Sequence, residues 1–292
     1  MRNSLMRILV AAVMLFAWVV SAAQTRSEYI DIYTVQVKPD KRAEFDALTK
    51  RMAEANRRNG GDEWLAIENM YGEGNVINFV SYRSSYGDVE TGMNKFMGAA
   101  TKSFGAGLDK MMADWGSCLI SSKGELRKRR WDLSANAPSD AGEYAKLVAN
   151  SRFLRTTMVS IRPGRTADFE ALLKEYKAAR EKNSPNEVLV VSQGVAGQQG
   201  GVYYITAFKP NMAGFDNVPT MQKVLGDEAF TKFQKTGAEV IEQTTAVLSR
   251  LNPDLSNPPQ DILAAAPDYW TPKPVVAATG KKKAANKEQA GQ

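Results

Sequence analysis

The sequence predicts an α+β chain built as two tandem β-α-β-β-α-β repeats packed sheet to sheet. Three observations predict it. Residues 35–48, VQVKPDKRAEFDAL, return at 159–172 as VSIRPGRTADFEAL, identical at six of fourteen positions. Apolar periodicity runs through both copies in the same order of strand-type and helix-type segments. The first strand, YIDIYTVQV, is largely apolar on both faces, so helices on one side of its sheet leave the other side needing cover. A second copy in the same chain supplies that cover and makes the association intramolecular.

Element by element, Tyr29 to Val37 alternates and is rich in β-formers, which predicts a strand. Pro39 cannot donate to a ladder and marks its exit, and Asp40 is an N-cap type. Phe45, Leu48, Met52 and Ala55 then fall on one helical face. WLAIENMY at 64–71 and VINFVSYR at 76–83 form a hairpin around GEGN. A Met-rich helical region follows, with Met93, Phe96, Met97, Phe104, Leu108, Met111 and Trp115, and a last strand falls within 117–131. In the second copy Phe153 to Ile161 is the strand, and Gly164 stands where Asp40 stood. Phe169, Leu172, Leu173, Tyr176 and Ala179 line the helix. Segments 188–194 and 202–208 are the hairpin, with a helix near 218–238 and a strand near 240–251 to close the unit. The order is that of a ferredoxin-like split βαβ. The domain reading is therefore a leader at 1–23, repeat one at 24–134, a linker at 135–142 (ANAPSDAG), repeat two at 143–256, and a largely disordered Pro/Ala/Lys-rich tail at 257–292. Within that tail, DYWTPKP is expected to dock through its aromatics.

The bulk numbers narrow the function classes. The formal charge is +6, but Arg2 and Arg7 sit in the leader, and the last twelve residues hold four lysines against one glutamate. The body is close to neutral, which argues against nucleic acid as a partner. Arg2 and Arg7 precede the apolar run Ile8 to Val20, closed by Ser21 and Ala23, the pattern of a cleavable signal peptide. The expected location is periplasmic or secreted, with no membrane span after cleavage. Cys118 is the only cysteine, so an intrachain disulfide is excluded and the core must supply stability. The chain contains no histidine, which removes Ser-His-Asp triads, Cys-His dyads and His-ligated haem, zinc and copper. No cofactor is expected on these grounds. The expected state is a monomer or a homodimer.

The strand–Pro–helix starts VKPDKRAEFDAL and IRPGRTADFEAL, in tandem β-α-β-β-α-β units, resemble the dimeric α+β barrel superfamily, with its antibiotic-biosynthesis-monooxygenase-like and NIPSNAP-like domains. The resemblance covers about residues 28–256 and implies an intramolecular pseudo-dimeric barrel. For the cofactor-free monooxygenases of that superfamily it implies an Asn, Trp, Tyr and Arg set that positions an aromatic substrate. Asn59, Trp64, Tyr71 and Arg83 stand at roughly that spacing in repeat one. At the matching places repeat two has Asn183, Val188, Val195 and Lys209, keeping only the Asn. Trp64 and Tyr71 are an odd number of positions apart, so they share a strand face only across a bulge.

The residues themselves suggest a further set. Asp31 and Arg155 occupy the same position in the two copies, mid-strand on apolar faces. They are expected either to hold a ligand or to pair with each other across the pseudo-twofold axis. Glu68 and Asn69 sit mid-strand in the first hairpin, as pocket-lining groups or as a solvent-facing pair. The run Glu125 to Arg130 reads as a solvated edge strand. Three functions are compatible with this sequence: a small-molecule-binding protein, a cofactor-independent oxygenase or isomerase acting on an aromatic or quinone-like compound, and a non-catalytic interaction module using sheet edges or tail.

Overall fold

The computed structural model describes residues 26–271. The leader at 1–23 and the part of the tail beyond 271 lie outside the described residues.

Eight strands form one closed antiparallel barrel in the order β1-β3-β2-β8-β5-β7-β6-β4. In the first half β1 is Tyr29–Val37, β2 Trp64–Tyr71, β3 Val76–Arg83 and β4 Leu119–Arg129; in the second β5 is Phe153–Ile161, β6 Leu189–Ala196, β7 Gly201–Lys209 and β8 Ile241–Asn257. Helices α1 (Arg42–Arg58), α2 (Tyr86–Phe104) and α3 (Leu108–Ser117) belong to the first half. Helices α5 (Thr166–Asn183), α6 (Met221–Leu225) and α7 (Asp227–Val240) belong to the second. Within each half the strand order is fourth-first-third-second, as a split βαβ requires. The two sheets do more than face each other. β2 pairs with β8 and β4 pairs with β6, so each half closes the other's edges. β4 is therefore not the edge strand expected from its charge: Leu126 to Arg129 pair with β6, while the stretch from Leu119 to Glu125 is paired through β1 alone. Asp40 likewise lies inside a short 3-10 turn, Pro39–Lys41, that leads into α1, and makes no capping bond there.

Directly paired residues of a ladder share a face. Ile30 faces Tyr82 on one side and Arg127 on the other, and Ile32 faces Val80 and Glu125, which places all of these in the lumen. The opposite face carries Val35, Val37, Ala66 and Ile77, which pack with Phe45, Leu48 and Met52 of α1. Val159, Ile161, Val191 and Tyr203 pack with Phe169 and Leu173 of α5 in the same way. Each sheet thus has a helix-covered outside and a lumen inside.

Three helices stand where none was expected. The 135–142 linker runs into a helix, α4 (Ala141–Ala149), whose start is capped by the Asp140 side chain accepting from the Glu143 amide. Residues 257–271, expected as part of a disordered tail, fold into α8 (Gln260–Ala265) and α9 (Pro267–Trp270). Tyr144 and Val148 of α4, Ile262 of α8 and Trp270 of α9 pack on Leu65, Leu154, Val190 and Leu251. Those strand residues mark the end of the barrel where β1, β2, β5 and β6 begin. The three helices plug that end. The expected docking of the tail aromatics is realised by Trp270, fully buried, whose indole N–H donates to the Ala149 carbonyl at 3.1 Å.

Candidate functional site

The sequence-predicted residues fall into three environments. Asn59, Trp64 and Arg83 lie under the helices of the first half, and each is occupied there. Asn59 ends α1, donating from its side-chain amide to Ala55 O at 2.9 Å and Ser103 Oγ at 2.8 Å. Trp64 donates to Leu255 O at 2.9 Å and packs against Phe96. Arg83 forms a two-pronged bond with Asp62, at 2.7 Å for each prong, and also reaches Asp31 at 3.2 Å. Its guanidinium lies against Gly92 of α2, where an added Cβ would come within 2.4 Å of Cζ. Asp31 thus takes Arg83 as its partner, and the pairing expected with Arg155 does not form. With its guanidinium nitrogens bonded to Asp62 and Asp31 and its plane packed on Gly92, Arg83 holds β3 to the 59–64 connection and α2.

Glu68 and Asn69 separate to opposite faces, as adjacent strand residues must. Glu68 is 7 % exposed on the outer face and receives Arg42 at 2.5 Å and Arg250 at 2.8 Å. Burial by itself would raise this carboxyl, but the two guanidinium hydrogen bonds outweigh it and hold the pKa below the usual value. Asn69 points into the lumen, where its side-chain oxygen accepts from Ser249 Oγ at 3.1 Å.

Tyr71 and Arg155 meet in one place. Register shifts in the β2–β8 ladder, between Trp64 and Ala66 and between Asn69 and Tyr71, reset the strand's facing. Tyr71 lies seven residues from Trp64, about 23 Å along an extended strand. Tyr71, from the first half, and Arg155, from the second, line a cleft of about 540 Å³ on the outer face of β5 and β8. Ala246 and Leu248 contribute to the floor, and Met212, Phe215 and Asp216 form the opposite wall. That wall is a 3-10 turn, Met212–Phe215, started by Asn211, whose side-chain oxygen accepts from the Gly214 amide at 2.9 Å. The cap fixes the turn over the strands. The cleft is open to solvent, with Tyr71, Met212 and Arg155 exposed, and its walls are mostly apolar. Among the described residues Arg155 makes no ion pair and no side-chain hydrogen bond. The arrangement is a cation presented beside apolar surface, suited to receive a negative group from a ligand whose body is apolar.

Arg155 and Tyr71 were legible as candidates in the sequence; Met212, Phe215 and Asp216 were not. They lie more than fifty residues from Arg155 in a turn with no periodicity, and the Asn211 cap was the one local signal available. Among the described residues no group of three or more Asp, Glu or Cys side chains is placed to hold a metal ion. Among them, too, no helix is long and apolar enough to cross a membrane.

No family model and no curated protein matches the sequence. Several solved structures are similar to it over most of the chain. An anthrone oxidase-like protein is similar over 77 % of this chain and 92 % of its own, at 11 % identity and a TM-score of 0.48. A mutant chlorite dismutase from Candidatus Nitrospira defluvii is similar over 83 % of this chain and 97 % of its own, at 11 % identity and a TM-score of 0.46. A heme-binding protein from Thermus thermophilus is similar over 77 % of this chain and 91 % of its own, at 10 % identity and a TM-score of 0.43. These are likenesses of architecture, and architecture of this kind does not assign chemistry.

Proposed function

We propose that this chain is an exported small-molecule-binding protein whose site is the cleft between Tyr71, Arg155 and the 212–216 turn. The observation that carries the reading is Arg155. It is a cation with no ion-pair partner among the described residues, placed at a cleft of about 540 Å³ whose walls are mostly apolar. A guanidinium beside apolar walls favours a ligand with one anionic group and an apolar or aromatic body. Tyr71, Phe215 and Met212 would hold the body, with Arg155 taking the carboxylate. Asp216 at the same cleft disfavours a second negative charge on the ligand. The leader-like N-terminus supports placing the mature protein outside the cytoplasm.

Native mass spectrometry of the mature protein, isolated gently from its own compartment, tests both parts. The expected spectrum shows a chain beginning near Gln24 with an additional small mass, absent from Arg155→Ala. If the wild type is free of added mass and a panel of aromatic and aliphatic carboxylates fails to bind, the binding reading is overturned. A chain that retains residues 1–23 overturns the export reading.

A further inference from the structure

The plugged end of the barrel holds a second group of residues with an unmet electrostatic need. Arg129, the last residue of β4, points into the lumen and is 4 % exposed. One of its terminal nitrogens donates to the Tyr144 hydroxyl at 2.6 Å, yet its Nε has no acceptor. Its guanidinium carbon lies 4.5 Å from the Tyr144 ring centre, 5.2 Å from that of Trp131 and 5.3 Å from that of Tyr82. Trp131 is in the same condition: its indole N–H is buried without an acceptor. A second guanidinium, Arg26, stacks on Trp131 at 4.4 Å from the ring centre. No carboxylate pairs with Arg129 or Arg26 among the described residues. The Arg129 amide donates to Glu28 O, which makes Glu28 its neighbour across the ladder, but the Glu28 carboxylate makes no ion pair with it.

Aromatic faces offset part of the cost of burying a cation. They do not satisfy N–H donors directed away from them, and a buried charge without a counter-charge costs several kcal/mol. The Tyr82 phenol does not supply the missing negative charge: burial, and then the adjacent Tyr144, push its hydroxyl well above its ordinary pKa, so it stays neutral. What is missing is an acceptor carrying one negative charge.

We propose that the plugged end of the barrel is a binding site for a small monovalent anion of halide or formate size, held by Arg129 Nε and the Trp131 indole N–H, with Arg26 adding positive charge. The site is separate from the Arg155 cleft: it lies in the lumen under α4, α8 and α9, whereas the cleft lies on the outer face of β5 and β8. Anion binding here ties the end of β4 to the plug, because the same Arg129 bonds Tyr144 of α4.

Bromide is the probe. Crystals of the full chain soaked in sodium bromide are expected to show an anomalous peak within hydrogen-bonding reach of both Arg129 Nε and Trp131 Nε1. In solution, the thermal midpoint is expected to rise with bromide relative to sodium gluconate at equal ionic strength, as binding to the native state alone requires. Trp131→Phe keeps an aromatic face, with a smaller ring, and removes one donor; it is expected to weaken bromide binding about tenfold, which by the free-energy relation is about 1.4 kcal/mol. Arg129→Gln is expected to abolish the bromide effect, and Trp131→Phe remains informative where that variant fails to fold. No peak at these donors, or a peak position filled by the Glu28 carboxylate or by water at saturating bromide, overturns the proposal. So does an equal bromide response in Trp131→Phe and wild type.

Discussion

Gly92 lacks a side chain because Arg83 occupies the space one would need. Gly92→Ala should therefore displace the guanidinium from its carboxylates and cost about 1–3 kcal/mol, the usual range for overpacking, read as a lower urea midpoint. Arg83→Met leaves Asp62 and Asp31 facing each other without a cation. A loss of about 3–5 kcal/mol is expected for a pair broken from one side, with part of it recovered when Asp62→Asn is added. A wild-type midpoint in Arg83→Met would mean that the cluster is solvated and structurally idle. Glu68 and Glu125 carry a pH dependence of defined sign. Burial raises each carboxyl, but Arg42 and Arg250 at Glu68, and Arg127, Tyr204 and Gln198 at Glu125, more than reverse this, and both folded pKa values lie below the usual 4.5. A group depressed in the folded state contributes stability above its unfolded pKa and loses it as pH falls through the folded one. Stability should be level near neutrality and fall from about pH 4.5 downward, and Glu68→Gln should flatten that slope in acid unfolding curves.

At the scale of elements, the plug is the part of the molecule with the most to lose. α9 is a single turn and has almost no helical stability of its own. It is held by Trp270, which is fully buried and bonded to Ala149. Trp270→Ala should cost about 3–5 kcal/mol, as truncation of a buried large aromatic does. Amide exchange should rise first in α4, which lies under α9. If the loss were spread evenly over the barrel with α4 still protected, the plug would not be a separate unit. The 135–142 segment, ANAPSDAG, carries turn-type residues at Asn136, Pro138, Ser139 and Gly142, which hid the start of α4 from a linker reading. Its start was nevertheless written in Asp140 and Glu143, an N-cap residue followed three positions later by an acid. The β2–β8 ladder shows the opposite case. Nothing local in WLAIENMY announces the two register shifts that turn Tyr71 toward the cleft, because a bulge depends on what the partner strand presents.

At the scale of the whole molecule, closure decides the behaviour of the parts. Each half has two strand edges, and both are paired only by the other half. A half expressed alone, cut within 135–140, should expose two edges and its lumen face and should dimerise or aggregate. Co-expressed halves should reconstitute the barrel as a heterodimer, detectable by size-exclusion chromatography with multi-angle scattering. A stable monomeric half would show that the interhalf ladders are dispensable.

The sequence by itself determined the order of the eight strands and of the helices within each repeat, the two-repeat plan, the apolar faces of α1 and α5, and the lack of histidine side chains. These are properties of periodicity and composition, which local residues encode. Only the tertiary structure decided that the two sheets join edge to edge as one ring, that Asp31 belongs to Arg83, and that Arg155 stands without an ion pair beside Tyr71. It alone brought Arg129 and Trp131 under a plug made from α4, which carries Tyr144, and the chain's last described turns. The physical reason is that charge pairing and cavity formation are settled by neighbours far apart in sequence. A residue's own flanks fix its strand and its face, but not which distant group will meet it across the barrel.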